Sequence, residues 1–217
     1  MTVELYKTHI ISHSILGNKG HFFRLPMLFD FKPGQVAGLG LKNLYPPRIY
    51  SFAGSDFKTY VEFLFDVRPE GFLSPRLAQL KNGDEIFMTK PFGAFLGTAE
   101  PACWIAAGTG IAPFKTMLDA GLQKNKILIH GVREPENFYF SDVFEKELQD
   151  NYIRCCSGSD AGGFFRGRVT DYLEQLPELP KDVQYYLCGS AEMVVDTRDL
   201  LISRGVPFER IVAEIYF

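Results

Sequence analysis

Cys103-Trp104-Ile105-Ala106-Ala107-Gly108-Thr109-Gly110-Ile111-Ala112-Pro113 passes from an unbroken apolar run into a glycine turn and out into a segment of helical composition reaching about Leu122. A short apolar run bounded by glycines reads as a strand buried on both faces, and the glycines end it sharply. The same rhythm continues downstream. Lys126 to Gly131, Tyr152 to Cys156, Gln184 to Cys188 and Arg210 to Tyr216 read as further strands. Between them lie helices from about Asp142 to Leu148, Val169 to Leu176 and Ser190 to Arg204. Strands alternating with helices predict an α/β domain with a five-stranded parallel, doubly wound sheet.

Upstream the pattern is different, and the change falls around Pro91 to Pro101. Val3 to Ile15 is rich in branched and aromatic residues, Gly17 to Gly20 is a turn, and His21 to Leu28 returns as a strand. Pro33-Gly34 marks another turn. Tyr60 to Val67 alternates, with Val61, Phe63, Phe65 and Val67 on one face, as a half-buried strand does. Short strands separated by Gly and Pro predict a small antiparallel β-barrel. The chain is therefore expected to hold a barrel domain over residues 1–97 and an α/β domain over residues 98–217.

Bulk composition narrows the functional classes. Of the 217 residues, 46% are hydrophobic and 23% charged, ordinary values for a water-soluble fold. A net charge of −3 argues against nucleic acid as the main partner. No apolar run is long enough to span a bilayer, and Met1 to Lys7 lacks the pattern of a signal peptide, so a cytoplasmic location is expected. Cys103, Cys155, Cys156 and Cys188 form no Cys-x-x-Cys pair, and their spacing suits neither zinc nor an iron–sulfur cluster. His9 and His13 have helical metal-ligand spacing but lie in a segment that reads as strand, so no metal is expected.

Several short motifs carry possible chemistry. On a strand, Arg48 and Tyr50 share one face and Ser51 takes the other or ends the strand. A guanidinium grips phosphate through paired hydrogen bonds, a tyrosine ring can lie against a flat cofactor, and a serine hydroxyl can donate to a ring nitrogen. Alone, these residues better suit a solvated Arg and a core Tyr on an edge strand. Gly71-Phe72-Leu73-Ser74-Pro75 opens a short helix, with Ser74 as its expected N-cap and Pro75 in the first turn. Such a start attracts phosphate, though an ordinary capped helix explains it as well. Gly108 to Pro113 lets a pyrophosphate approach the backbone at a helix start; Pro113 replaces the third glycine of the usual dinucleotide fingerprint. Cys188-Gly189 ends an apolar strand at the sheet edge where ligands bind, though by itself a buried inert cysteine explains it better. Glu214-Ile215-Tyr216-Phe217 closes the chain with two aromatic rings.

In this order the motifs resemble those of the ferredoxin–NADP reductase family over nearly the whole chain. The resemblance implies that Arg48, Tyr50 and Ser51 take the phosphate, ring-stacking and ring-nitrogen roles toward a flavin, with Gly71 and Ser74 at its pyrophosphate. It implies that Gly108, Thr109 and Gly110 bind the nicotinamide dinucleotide, with Cys188 and Gly189 beside the nicotinamide. Tyr216 and Phe217 would lie near the flavin, and Glu214 would handle protons. Ser51, Cys188 and Glu214 are thus the catalytic candidates. The cofactor implied is FAD, with NAD(P)H as co-substrate and ferredoxin or flavodoxin as the acceptor. Where members of the family that prefer NADPH carry Ser-Arg, this chain reads Ser157-Gly158-Ser159-Asp160. Arg133, Arg166 and Arg168 are the substitutes at hand, and the choice between NADH and NADPH stays open. Two other functions compete: a reductase component of an oxygenase or a free flavin or quinone reductase, and a non-catalytic flavin-binding electron-transfer subunit.

Overall fold

In the computed structural model, which describes residues 4–42, 46–158 and 162–216, the chain divides into two compact units. The first comprises the described residues up to Gly97 together with Ala112–Ala120; the second comprises Thr98–Ile111 and the described residues from Gly121 onward.

The first unit is an antiparallel sheet of seven strands: β1 (Tyr6–His9), β2 (Ser12–Leu16), β3 (Gly20–Pro26), β4 (Val36–Gly40), β5 (Arg48–Ser55), β6 (Tyr60–Phe65) and β7 (Glu85–Met88). Their spatial order is β1-β7-β4-β5-β6-β3-β2. The end strands β1 and β2 are consecutive in sequence, separated only by Ile10 and Ile11. The Ile10 N–H donates to Asp84 on one side and the Ile11 N–H to Arg24 on the other. The β-rich stretch from Val3 to Ile15 thus holds two strands, whose pairing with opposite ends of the sheet curls it on itself. Val3 lies outside the described residues. Aromatic and branched side chains fill the inside, among them Phe23, Leu25, Leu39, Phe52, Phe63 and Ile86.

Two helices complete this unit: α1 (Ser74–Leu77) and α2 (Ala112–Asp119). Strand β6 is buried on both faces, not half-buried as its alternation suggested. Its Glu62 carboxylate accepts from Arg24 Nε and Nη2 at 2.9 and 2.7 Å. Burial raises the Glu62 pKa, and the charges of Lys115 and Asp119 on α2 reach it. Asp119 also accepts the Ser55 N–H of β5 and pairs with Lys115. A charged helix face therefore covers the side of β5 and β6 that a lone sheet would leave to water.

The second unit is a parallel sheet of six strands, in the order β11-β10-β9-β8-β12-β13. These are β8 (Ala102–Ala107), β9 (Lys126–Val132), β10 (Tyr152–Cys156), β11 (Phe165–Arg166), β12 (Gln184–Ser190) and β13 (Ile211–Tyr216). The expected number of five is corrected by β11, whose two residues pair with Cys155 and Cys156. So short a strand shows no periodicity in a Gly-rich stretch. Helices α3 (Ser141–Leu148), α4 (Val169–Gln175) and α5 (Ala191–Ser203) flank the sheet. Val169 and Leu173 of α4, with Val194 and Leu201 of α5, pack on Ile105, Ile129, Cys155 and Leu187. Phe144 of α3 meets Tyr152, which is in register with Leu128 and Trp104 on the opposite face. The helix expected from Ile111 to Leu122 is shorter: Gly108–Ile111 forms a 3-10 turn that leads into α2.

Candidate functional site

Because every strand of the second sheet is parallel, all of them end at one edge. Reading across the sheet in spatial order, that edge carries Arg166 at the end of β11 and Arg168 beyond it, Ser157 beyond β10, Arg133 beyond β9, the Gly108–Ile111 turn beyond β8, Cys188-Gly189 in β12 and Glu214 to Tyr216 in β13. Chain order runs one way from β8 to β11 and the other way from β12 to β13, so the switch point lies between β8 and β12. Open α/β sheets bind ligands at such a point.

There the two glycine motifs meet backbone to backbone. A Cβ on Gly110 would lie 2.2 Å from the Cys188 carbonyl oxygen and 2.8 Å from the Gly189 Cα. Only a residue without a side chain permits this approach. Gly189 has φ +154, and a Cβ there would fall 3.1 Å from that of Ala107. Thr109 and Gly108 stay partly exposed on the outer side of the turn. Beside them, the Ser190 hydroxyl caps helix α5, accepting from the Met193 N–H.

Cys188 is 0% exposed. Burial pushes its thiol pKa well up, the neighbouring Glu214 charge adds to this, and a hydrogen bond with Tyr216 works the other way. Cys188 is therefore a neutral thiol. Glu214 sits opposite it in the β12–β13 register, half-buried, and Tyr216 sits opposite Ser190. Phe217 lies outside the described residues.

Farther along the edge, the Ser157 N–H donates to the Val132 carbonyl at 3.0 Å, and Cys156 Sγ donates to the Arg133 carbonyl at 3.4 Å. Arg133 and Arg166 are exposed on either side of Ser157. Arg168 is held by Glu192 at 2.6 Å, and its N–H donates to Asp171 at the start of α4. Ser159 and Asp160 lie outside the described residues.

In the first unit, Arg48 is exposed, Tyr50 half-buried and Ser51 buried along β5. The Tyr50 ring meets Phe65 edge-on at 5.6 Å. Burial lifts the Tyr50 phenol to about 12, with Arg48 acting against it. The expected N-cap role of Ser74 is corrected: Leu73 is the cap, and no side chain bonds there. The Ser74 hydroxyl instead accepts the Arg68 N–H at 2.9 Å, while the Gly71 N–H donates to the Arg68 carbonyl at 2.8 Å. Together these close a loop from Arg68 to Ser74, with Pro75 in the first helical turn as read. His13 pairs with His21 and not with His9: its Nδ1 donates to the Leu80 carbonyl, so its Nε2 accepts from His21 Nδ1 at 2.9 Å. Among the described residues no group of three or more His, Cys, Asp or Glu is placed to hold a metal, and no helix is long and apolar enough to cross a membrane.

One residue of this region escaped the sequence reading. His130 lies in β9, next to the glycine turn, and is 0% exposed. Its only signal is a polar side chain within the apolar run Ile127 to Val132.

The second unit has the design of a nucleotide-binding oxidoreductase domain, and the family model described as the oxidoreductase NAD-binding domain matches residues 104–199. The flavodoxin/ferredoxin–NADP reductase of Escherichia coli K12 is 32% identical over 196 residues, covering 79% of each chain. The 2-halobenzoate 1,2-dioxygenase electron transfer component of Burkholderia cepacia is 31% identical over 185 residues, which are 79% of this chain and 55% of that protein. The chain thus spans little more than half the length of that curated relative. A ferredoxin NADP+ reductase from Neisseria gonorrhoeae, solved with bound FAD and NADP, superposes over 100% of both chains with a TM-score of 0.88 at 21% identity. This chain belongs to the ferredoxin–NADP reductase family.

Proposed function

We propose that the chain is a flavin-dependent oxidoreductase that moves hydride between NAD(P)H and FAD and passes electrons to a separate one-electron carrier such as ferredoxin or flavodoxin. The observation that carries this reading is the junction of Gly110 with Cys188 and Gly189 at the switch point of the parallel sheet. It leaves bare backbone where a dinucleotide needs close approach. The printed names of the relatives support the cofactor pair and the acceptor class.

Bound FAD supplies the exchange between two-electron and one-electron chemistry, and the chain supplies binding and orientation. We assign the flavin to the first unit. There Arg48 offers an exposed guanidinium for phosphate, Tyr50 a half-buried aromatic face, and Ser51 a hydroxyl for a ring nitrogen. The closed loop from Gly71 to Ser74 is assigned to the pyrophosphate. In the second unit, Gly108, Thr109 and Gly110 take the dinucleotide. The neutral Cys188 fills space beside the nicotinamide and does not act as a nucleophile. Glu214, half-buried next to it, is the proton-handling candidate. Arg133 and Ser157 face the far end of the dinucleotide, whereas Arg168 must first leave Glu192 to do so.

A second reading, the reductase component of an oxygenase, draws on the Burkholderia relative and changes only the acceptor. One experiment tests the core of both. The purified protein is expected to be yellow, and anaerobic addition of NADH or NADPH is expected to bleach it; the nucleotide that bleaches at lower concentration is the preferred one. A colourless protein that takes up no added flavin overturns the reading. A yellow protein that neither nucleotide bleaches reduces it to flavin binding without turnover.

A further inference from the structure

His130 is the buried polar group that the reading above leaves without a task. In register it stands between Ala106 of β8 and Arg154 of β10. Gly108 opens the 3-10 turn two residues beyond Ala106, and its backbone contacts the imidazole. Phe138 meets the ring edge-on at 5.3 Å, and Tyr152 lies 6.3 Å away at a shallow angle. The Tyr152 hydroxyl is 3.0 Å from Nδ1. The other nitrogen, Nε2, is buried and reaches no partner at full hydrogen-bonding geometry. Burial takes the pKa from 6.5 down to about 3, and a contact of the ring with the Gly108 backbone restores a little of it.

A neutral imidazole carries one N–H. If Tyr152 donates to Nδ1, the proton sits on Nε2, and an N–H there can only meet an acceptor, which on the Gly108 backbone is its carbonyl. In the other tautomer the Nε2 lone pair would face that carbonyl and repel it. Burial keeps the Tyr152 phenol protonated, so its donor is always present. An apolar residue here would leave no ring N–H to satisfy, at the cost of the Tyr152 hydroxyl's partner, whereas a buried unmet N–H is unfavourable. Leu128, two residues earlier on the same face, is such a residue.

We propose that His130 is a positioning residue of the glycine turn: oriented by Tyr152, its Nε2–H is delivered to the Gly108 carbonyl and completes that hydrogen bond when the turn closes on the dinucleotide. This rests on the turn being the dinucleotide site. The bond aims the carbonyl inward, and the amides of Thr109 and Gly110 are thereby left facing the ligand.

The test compares His130→Leu, His130→Gln and Tyr152→Phe in the flavin-loaded protein, using NADH and NADPH as probes. The glutamine amide places an N–H near the position of Nε2, and leucine places none. His130→Leu is expected to raise the nucleotide KM and dissociation constant about tenfold, the worth of one hydrogen bond. Its kcat, flavin content and melting temperature are expected to stay near wild type. His130→Gln should recover most of the affinity, and Tyr152→Phe should fall between, because it frees the wrong tautomer. Unchanged affinity in His130→Leu overturns the proposal. So does a loss of affinity that tracks loss of flavin or of melting temperature, or one that His130→Gln fails to rescue. A wild-type protein that binds neither nucleotide removes the dinucleotide reading, and the proposal with it.

Discussion

A methyl group added at Gly110 would sit 2.2 Å from the Cys188 carbonyl oxygen and 2.5 Å from its carbon. Both are backbone atoms of a buried strand, so no rotamer relieves the clash. Gly110→Ala is expected to destabilise the protein by roughly 1–3 kcal/mol, as overpacking does. Because the strain falls on the turn itself, nucleotide KM should rise more than kcat falls. Thermal unfolding and steady-state kinetics together check this; a variant with wild-type melting and KM would mean the two backbones are less closely apposed. Ser51 gives the complementary case in the first unit. It is buried on β5, and removing its hydroxyl leaves packing almost intact. Ser51→Ala is therefore expected to slow flavin reduction by about tenfold, one hydrogen bond's worth, while flavin affinity changes less. Stopped-flow absorbance reads this directly, and an unchanged rate would remove Ser51 from the chemistry.

At the scale of elements, Arg204 shows what sequence can and cannot convey. Its place at the end of α5 was legible from helical periodicity, but its task was not. Its guanidinium crosses to the end of α4 and donates to the carbonyls of Leu173 and Glu174 at 3.3 Å, Leu176 at 2.7 Å and Pro177 at 3.3 Å. Carbonyls at a helix end have no partner within the helix, and a planar fork of donors satisfies several at once. Arg204→Ala is expected to cost about 1.5–3 kcal/mol, and Arg204→Lys should recover only part of it. Urea unfolding midpoints test this; an equal loss in both variants would assign the effect to the fork alone. The same contrast runs through the rest of the chain. The strands and helices of the second unit were readable because apolar runs and turn residues announce them locally. Strand β11 was not, because two residues carry no period. Ser74 was misread as a cap because composition marks a helix start but not which amide a hydroxyl will meet; Arg68, six residues back, took it. The break between β1 and β2 depends on pairing with Asp84 and Arg24, contacts made by distant parts of the chain.

For the molecule as a whole, His130 links the site to stability. Folded, its imidazole stays neutral until pH falls to about 3; unfolded, it takes up a proton near 6.5. Between those values the unfolded chain binds more protons, so the folded state loses stability as pH falls below 6.5, by about 1.4 kcal/mol for each pH unit. The stability is fully present above 6.5. His21, also lowered by burial and by the neighbouring His13, acts with the same sign over a narrower window. Glu62 acts oppositely, since burial raises its pKa and favours the fold at acid pH. His130→Leu isolates the first contribution, because leucine has no proton to gain. Its unfolding free energy should fall less than that of wild type on acidification, with a gap of roughly 2 kcal/mol opening between pH 6.5 and about pH 5. Urea titrations of both proteins across that range measure the gap. Parallel pH profiles would mean that the folded imidazole accepts a proton at its ordinary pKa, and a cation at that position could not hold its place beneath the glycine turn.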